Sequence, residues 1–287
     1  MRLCSMFGFL LTAIAVSACS PAPVQSGPDN GPGFLPVAAE GGCSVKNLVS
    51  NRQGSQPGEK QGLDPQSISV LNWNVYKGQR QGWAEEFGRY IQAHDVVTMQ
   101  EARLDDGLQS LLDRGHANWS LNAAFFLEGK ATGVMTASGV MPVHSCGQQT
   151  TEPVIRTAKT SLISYFLLNG RDEQLLVANI HGVNFSLGLG AFREQIEQLH
   201  GEIRRHNGPV ILAGDFNTWS DERLAIVNEL ADRLSLASLE YSSHNRTKMF
   251  GNPLDHVFYR GLRLVEQHTW HVASSDHNPI HAVFRVD

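Results

Sequence analysis

The sequence predicts an α/β fold in which helices pack on mixed β-sheets, and two observations carry that prediction. Short apolar runs of strand length alternate with segments whose apolar residues recur at helical spacing. Hairpin signals, of which Asn169-Gly170 is the strongest, are interspersed with those helices, and this mixture indicates helical layers around mixed sheets. With 287 residues and 41% apolar residues, the chain is long enough for one large or two ordinary domains.

The elements follow in chain order from about residue 66 onwards, and we interpret residues 66–287 as one domain. The predicted strands cover residues 68–74, 95–101, 132–137, 154–168, 174–181, 209–214, 254–259 and 280–286. Apolar residues at helical spacing predict helices around residues 83–91, 104–112, 192–203 and 221–234.

The N-terminus has the order of a bacterial lipoprotein signal, a basic residue followed by an apolar run over residues 7–16. We interpret residues 1–18 as the signal peptide and Cys19 as the lipidated first residue of the mature protein. Residues 19–65, rich in Pro, Gly and Ser, are predicted to form a flexible tether. Ser20 after the cysteine indicates an outer-membrane lipoprotein facing the periplasm or the exterior. The alternative is an unused signal and a cytoplasmic protein.

Cysteine usage agrees with an oxidising compartment. Cys4 would be lost with the signal and Cys19 acylated, which leaves Cys43 and Cys146. These two cysteines are able to pair outside the cytoplasm, but the sequence does not say whether they are close enough. Their pairing is a hypothesis.

The formal charge of −5 excludes an overall basic field of the kind that drives unspecific nucleic-acid binding. A local basic groove remains compatible with it. The acidic balance counts against tight binding of long DNA, and the predicted anchor favours substrates near a membrane. We expect a monomer.

Polar residues follow several of the predicted strands. Asn74, Glu101 and His181 each end one, Asp215 and Asn217 follow another two residues apart, and Asp276-His277 precedes the last strand. Turn chemistry explains any one of these endings, but five in one domain indicate a site on the rim of a sheet.

At these positions the sequence resembles the endonuclease/exonuclease/phosphatase superfamily, which includes DNase I-like nucleases. The motifs, in order, are Leu71-Asn-Trp-Asn74, Gln100-Glu101, Asn179-Ile-His181, Gly214-Asp-Phe-Asn217 and Ser275-Asp-His277-Asn-Pro279. The resemblance implies a four-layered α/β sandwich, with two packed mixed β-sheets flanked by helices. Longer stretches are similar to the YafD-like branch, whose substrate is not established.

Phosphoester hydrolysis needs an activated water, cations on the phosphoryl oxygens and help for the leaving group. Glu101 is the strongest metal-ligand prediction, because a hard carboxylate suits Mg²⁺ or Mn²⁺. Asn74 is a second, neutral ligand for the metal or the phosphate, and Asp276 is predicted to be a further carboxylate on the metal side.

His277 is predicted to be the general base, and by resemblance Asp255 would bind its far nitrogen. Asp215 would position the water or stabilise the transition state, and the sequence leaves open whether Asp215 or His277 is the base. His181 and Asn217 are expected at the phosphate or the leaving oxygen. Arg156 is proposed as a phosphate clamp.

The predicted function is therefore metal-dependent hydrolysis of a phosphodiester or phosphomonoester. Nucleic acid, phospholipid, sphingomyelin and nucleotide substrates all stay open. A non-catalytic binding lipoprotein would be expected to have lost one of the main site residues, and none is lost. A zinc enzyme lacks the ligand spacing it would need. Trp219 and Phe185 line a substrate groove or pack in the interior.

Overall fold

The computed structural model describes residue 43 and residues 48–51, 61–115, 118–186, 188–241 and 245–287. Four helices were found in these ranges: α1 (Trp83–Gln92), α2 (Asp106–Gly115), α3 (Gly190–Ile203) and α4 (Asp221–Arg233). The strands are β1 (Leu48–Asn51), β2 (Ile68–Asn74), β3 (Val96–Arg103), β4 (Asn118–Leu127), β5 (Lys130–Ser138), β6 (His144–Thr151), β7 (Ala158–Leu167), β8 (Gln174–His181), β9 (Val210–Asp215), β10 (Ala237–Ser238), β11 (Lys248–Met249), β12 (Asn252–Pro253), β13 (Asp255–Arg260), β14 (Leu262–Thr269) and β15 (Ile280–Val286).

Two mixed sheets hold most of these strands. The first sheet has the order β1-β4-β5-β3-β2-β15-β14, and the second has the order β10-β13-β9-β8-β7-β6. One pair in each sheet is parallel, β2 with β3 and β8 with β9, and α1 and α3 lie between the paired strands in the chain. A parallel pair needs such a crossover, whereas its antiparallel neighbours need only short turns.

Helices cover the outer face of each sheet. Trp83, Phe87 and Ile91 lie four residues apart on α1 and pack in one cluster with Trp73 and Met99 of the first sheet. A second cluster joins residues of α3 and α4, such as Phe192 and Leu230, to β8 and β9. The segments whose apolar residues recur at helical spacing are therefore the helices of the two outer layers.

A third cluster fills the space between the sheets. It brings Val70 and Val96 of the first sheet against Val177 and Ile211 of the second. The described domain is thus the predicted four-layered sandwich of two mixed sheets with helices outside.

Seven strands were not predicted from the sequence: β1, β4, β6, β10, β11, β12 and β14. β4 and β6 carry polar residues that face the interior, and Asn122 donates to the carbonyls of Gln148 and Ser161 at 2.9 and 2.8 Å. These polar positions interrupt the apolar pattern that marks a strand. The prediction of a strand from residue 154 was also wrong at its start, because β7 begins at Ala158 and residues 152–157 form a loop.

The predicted tether needs correction at its C-terminal end. Leu48–Asn51 forms the antiparallel edge strand β1 on β4, and Leu63 is buried and bridges to Leu168. Cys43 forms a disulfide with Cys146 of β6. The described residues of this range, which are 43, 48–51 and 61–65, therefore belong to the folded domain, and the pairing left as a hypothesis is present.

Among the described residues, none of the helices has both the length and the apolar character needed to cross a membrane. The predicted signal peptide, Cys19 and most of the tether lie outside the described residues.

Candidate active site

Strands of both sheets end at one edge of the sandwich, and polar side chains meet there. β2 ends at Asn74 and β9 at Asp215, and Asn74 Nδ2 donates to Asp215 Oδ2 over 3.0 Å. His181 is paired with Asp215 in the parallel register of β8 and β9, and Asp255 is paired with it on β13. The strand ends that the sequence singled out therefore lie together.

Asp215 is the centre of this group and is 2% exposed. Its Oδ1 accepts from the backbone N–H of Asn217 at 2.9 Å. Its Oδ2 lies 3.6 Å from Nε2 of His181 and 3.7 Å from Nε2 of His277. A carboxylate that is oriented by two donors and flanked by two imidazoles is fixed well enough to hold a water or face a phosphate oxygen.

His277 lies on the loop before β15, and that loop is fastened to β2. Ser275 Oγ donates to the carbonyl of Asn74 at 2.7 Å, and the Trp73 indole N–H donates to the carbonyl of His277 at 2.8 Å. The motif around His277 thus positions the imidazole through backbone contacts.

His277 and Asp255 form a buried pair in which Nδ1 donates to Oδ2 over 2.8 Å. Burial alone would lower the pKa of His277, but the carboxylates of Asp255 and Asp215 raise it to about 10. Burial raises the pKa of Asp255 to about 6, and the charge of His277 opposes that rise. At neutral pH the pair is therefore an imidazolium beside a carboxylate.

Ligand atoms of Asp215, Asp255 and His277 all lie within 4.8 Å of one another, which is close enough for a metal site. However, one imidazole nitrogen of His277 already donates to Asp255 and the other faces Asp215. We therefore interpret these three residues as a proton-handling cluster.

Lys159 is a further cation inside the site, and its Nζ lies 2.6 Å from Nε2 of His181. Burial, and then the charge of Lys159, lowers the pKa of His181 well below 6.5, so this imidazole is neutral and accepts from the ammonium. Burial lowers the pKa of Lys159 as well, against the carboxylates of Glu152, Asp215 and Glu101.

Glu101 lies in a bulge of β3, where the register shifts between Met99 and Ala102. Its φ is 54°, a left-handed conformation that is strained for a residue other than glycine. Such bulges re-aim a side chain out of the regular ladder. The Glu101 carboxylate forms an ion pair with Lys77, and each of these side chains is 21% exposed.

Directly below the site, a polar brace joins the two sheets. Gln100 Nε2 donates to Asn72 Oδ1 at 2.9 Å and to Asn179 Oδ1 at 2.8 Å, and Asn179 Nδ2 donates to the carbonyls of Met99 and Met135. These amides are buried, so their bonds fix how the strand ends of one sheet face those of the other.

A sequence model of the Endonuclease/Exonuclease/phosphatase family matches residues 71–277, which include every strand end described above. The chain belongs to this family. It is also 39% identical to a UPF0294 protein of Yersinia enterocolitica over 236 residues, covering 78% of this chain and 89% of the relative.

Solved structures share the fold of this family member. The human Nocturnin catalytic domain with bound sulfate has a TM-score of 0.62 at 19% identity, covering 79% of this chain and 96% of that one. ANGEL2, described as a 2′,3′-cyclic phosphatase, has a TM-score of 0.55 at 14% identity, covering 77% and 96% respectively. At these identities the likeness shows the fold alone.

Proteins of this fold use divalent metals, and the oxygen-rich donors around Glu101 fit one. The carboxylate of Glu101 is partly accessible, and the partner found for it is the Lys77 ammonium, so a cation already balances it. Among the described residues, Asn74 Oδ1 accepts from the Tyr76 backbone N–H at 3.1 Å and from no other donor, and Asp276 is exposed on its loop. Carboxylate and amide oxygens are the ligands that Mg²⁺ and Mn²⁺ prefer.

Asn217 follows β9 in a left-handed conformation with a φ of 52°. Its Nδ2 donates to the carbonyl of Gly182 at 3.0 Å, which ties the turn after β9 to the end of β8. A Cβ on Gly182 would lie 2.4 Å from the carbonyl oxygen of Phe216, so the close approach requires glycine. Asn217 thus shapes the site, and its contact with phosphate stays a prediction.

The structure does not bring Arg156 into this cluster. Arg156 is exposed on the β6–β7 loop, where its backbone N–H donates to the carbonyl of Glu152. The basic group within the site is Lys159 instead. Phe185 is 55% exposed, so packing in the interior does not account for it, whereas Trp219 is half-buried and donates to Asn184 Oδ1 at 3.0 Å.

Lys77 and Lys159 are the site residues that sequence reasoning missed. Lys77 follows the Leu71-Asn-Trp-Asn74 motif by three residues, but a lysine in a loop has no periodicity that marks it. Lys159 follows Arg156 by three residues. The predicted start of β7 was wrong, and this concealed that Lys159 lies at the beginning of the strand, next to His181.

Proposed function

We propose that this protein is a divalent-metal-dependent phosphoesterase that cleaves its substrate by in-line attack of water. The observation that carries the proposal is the placing of Asp215 among Asn74, His181 and His277, with contacts of 3.0, 3.6 and 3.7 Å. Such a cluster offers one acceptor for a water proton and several donors for phosphoryl oxygens.

Asp215 is the base in this proposal. The raised pKa of His277 leaves its imidazole protonated at neutral pH, and a protonated imidazole cannot accept the proton of water. The imidazolium instead donates from Nε2 to a phosphoryl oxygen, while Asp255 holds its Nδ1. This assignment reverses the prediction that His277 is the base.

Lys159 and His181 serve the phosphate in this scheme. The Lys159 ammonium already donates to His181, and an anionic phosphoryl group entering the cleft offers it a stronger acceptor. The released Nε2 of His181 then lies beside the same phosphoryl group or its leaving oxygen.

Glu101, Asn74 and Asp276 would hold the metal ion. When bound, the ion supplies positive charge to the phosphoryl oxygens and to the leaving group. Lys77 would then have to leave the Glu101 carboxylate, and it is placed to contact the substrate's charge instead.

A hydrolysis screen of the full chain tests this function. Plasmid DNA, nucleotides, sphingomyelin and bis-p-nitrophenyl phosphate are offered with Mg²⁺, Mn²⁺ or Ca²⁺. We expect turnover that EDTA abolishes, and near-complete loss in Glu101→Ala and in His277→Ala. Inertness of the parent on every substrate favours a binding protein, and full activity in Glu101→Ala refutes the metal assignment.

Within this proposal, we favour a phosphodiester over a phosphomonoester as the substrate. The relatives of known chemistry are similar only in fold, and the ANGEL2 description names a cyclic phosphate, which is a diester. Nucleic acid and nucleotides fit this chemistry as well as lipid headgroups do.

We propose that the enzyme works in the cell envelope, as an outer-membrane lipoprotein anchored through Cys19. The Cys43–Cys146 disulfide supports this location, because disulfides persist in oxidising compartments. Acylation of Cys19 is tested by labelling with an alkynyl fatty acid, and a Cys19→Ser variant that still takes up label would contradict it.

A further inference from the structure

Exposed apolar side chains are concentrated on three loops at the site end of the second sheet. They are Val154 and Ile155 between β6 and β7, Phe185 after β8, and Met249 and Phe250 on the hairpin β11–β12 that leads into Asp255. We call these five residues the apolar rim. Of the other large apolar side chains found exposed, Val143 and Leu167 lie at the opposite end of the second sheet, whereas Phe126 on β4 and Val265 on β14 belong to the first sheet.

Contacts between the loops hold the apolar rim together. The Phe250 ring lies 6.4 Å from that of Trp219, and the Trp219 indole N–H donates to Asn184 Oδ1. Buried Glu152, at the start of the first loop, accepts from the backbone N–H groups of Asn184 and Phe185. The three loops therefore present their apolar side chains from one connected support beside the site.

Phe250 occupies an unfavourable position for a phenylalanine in water. It is 84% exposed, and its φ is 51° beside Gly251 with a φ of 92°. A hairpin turn with two positive φ angles favours Asn-Gly, and a bulky residue there is strained. Among the described residues, the packing that offsets this strain is the edge-on contact with Trp219, and most of the ring faces solvent, which indicates that the side chain acts on a partner.

Basic residues accompany the apolar tips. Arg156 follows Ile155, Lys248 precedes Met249, and both are exposed, although the chain as a whole carries −5. The acidic Asp221 at the base of the hairpin is held by Asn252, whose Nδ2 donates to its Oδ1 at 3.0 Å. Apolar tips flanked by cations match an anionic lipid surface, which has acyl chains below a layer of phosphate.

We infer that the apolar rim inserts into a lipid surface, so that the site takes its phosphodiester from a lipid headgroup; the substrate half of this inference rests on the proposed function. Separate tips on three loops suit a fluid surface better than a peptide, which needs a groove or a sheet edge. The predicted anchor at Cys19 would hold the domain at the same surface.

Fluorescence of full-length Phe250→Trp tests the insertion without reference to activity. Vesicles of phosphatidylcholine with phosphatidylglycerol are added, and the parent spectrum is subtracted. We expect a blue shift in the emission of the introduced indole and its quenching by brominated lipid, with neither change in Val265→Trp. Both proteins are expressed with the same N-terminal segment, so any contribution of the anchor is common to them.

Each other outcome of this experiment overturns the inference. If the emission of the Phe250→Trp indole does not change when vesicles are added, the apolar rim does not insert. A shift without lipid that grows with protein concentration indicates that a second copy covers the rim. A shift without lipid at every concentration indicates that residues of the same chain cover it.

Hydrolysis by the full-length protein tests the substrate half. We expect the ratio of the rate on phosphatidylglycerol vesicles to the rate on bis-p-nitrophenyl phosphate to fall about tenfold in Met249→Ser/Phe250→Ser, because two apolar side chains no longer enter the lipid. The matched control Val143→Ser/Val265→Ser keeps the parent ratio.

An unchanged ratio in the rim variant contradicts the inference, as does a parent that cleaves bis-p-nitrophenyl phosphate but no phosphodiester in vesicles. A parent that is inert on both substrates, while the indole of Phe250→Trp inserts, overturns the proposed function and the lipid substrate, and supports the lipid-binding surface.

Discussion

The two sheets bring different chemistry to the site. The first sheet supplies Glu101 and Asn74, oxygen donors suited to a cation, whereas the second supplies Asp215, His181 and Lys159, groups suited to protons and phosphate. His277, on the loop before β15 of the first sheet, faces the second set. The two sets also differ in burial, since Glu101 is 21% exposed and Asp215 only 2%. The side chains around Asp215 are thus fixed before substrate arrives, whereas Glu101 has room to exchange Lys77 for a metal ion.

Two links hold these halves in register. At the site, Asn74 and Gln100 of the first sheet bond to Asp215 and Asn179 of the second. At the far edge, Cys43 is bonded to Cys146 of β6 in the second sheet, and β1 pairs with β4 of the first. Substitutions in each half of the site and at the far-edge link therefore test separately what each contributes.

The largest effect is expected at the centre of the second sheet's half. Asp215→Asn keeps the size of the side chain but removes the base and turns an amide NH2 towards one of its two donors, Asn74 Nδ2 or the Asn217 backbone N–H, so kcat should fall about 10³-fold or more, roughly 4 kcal/mol. Asp255→Asn should lower the pKa of His277 and so change the pH profile of kcat, because the imidazole loses the carboxylate that raises this pKa. Steady-state kinetics on the best substrate of the screen measures both.

The thermal midpoint of each variant serves as the control for folding. Asp215→Asn with kcat within tenfold of the parent would contradict the assignment of the base. His277 would then be the base, and its pKa in the working enzyme would have to lie near neutrality.

The next effect concerns the link at the far edge. Cys43→Ser/Cys146→Ser should lower the free energy of unfolding by about 3 kcal/mol, because the bond closes a loop of 103 residues and restricts the unfolded chain. Urea unfolding without reductant measures it. Adding reductant should lower the free energy of unfolding of the parent by the same amount and leave that of the variant unchanged. If reductant also destabilises the variant, the effect does not arise from this disulfide.

The site was more predictable from the sequence than the frame that carries it. Glu101, His181 and Asp215 end apolar runs, and a polar residue after such a run is visible in one dimension. The strands β4 and β6 were missed because their interior faces hold Asn122 and Gln148, whose side-chain N–H groups donate to carbonyls distant in sequence. Lys159 was missed for a related reason, since its value depends on His181 lying next to it.

A smaller effect is expected from the cation half. Lys77 competes with a divalent ion for Glu101, so Lys77→Met should lower the Mg²⁺ concentration at half-maximal activity about tenfold, a modest change because the pair is partly exposed. The matched control is Lys130→Met, which removes an exposed ion pair with Asp106. Weaker Mg²⁺ dependence in Lys77→Met would show that Lys77 supports the metal site instead.

The smallest effect lies in the outer layer of the first sheet, away from the site. His94 Nδ1 contacts the carbonyl of Tyr90 at 2.6 Å, and His94 Nε2 lies 2.8 Å from His281 Nδ1. If His94 donates to Tyr90, its Nε2 accepts from His281. Burial, and then the charge of His94, lowers the pKa of His281 to about 4, with Glu266 opposing the shift and His268 adding to it.

The sign of the pH dependence follows from this direction. Above pH 6.5 the imidazole is neutral in both states and adds nothing, whereas below it the unfolded chain binds the proton first, so stability falls as the pH drops from 6.5 towards about 4. His281→Asn keeps an N–H where Nδ1 was and removes the titration. Between pH 7 and pH 5 the variant should lose about 1 kcal/mol less than the parent, a figure reduced for partial exposure. His268→Asn, which replaces an exposed imidazole, should follow the parent. Equal slopes for the parent and His281→Asn would assign the acid sensitivity to other buried imidazoles, such as His94, whose pKa burial also lowers, and His256 of the second sheet, whose pKa burial lowers to about 3.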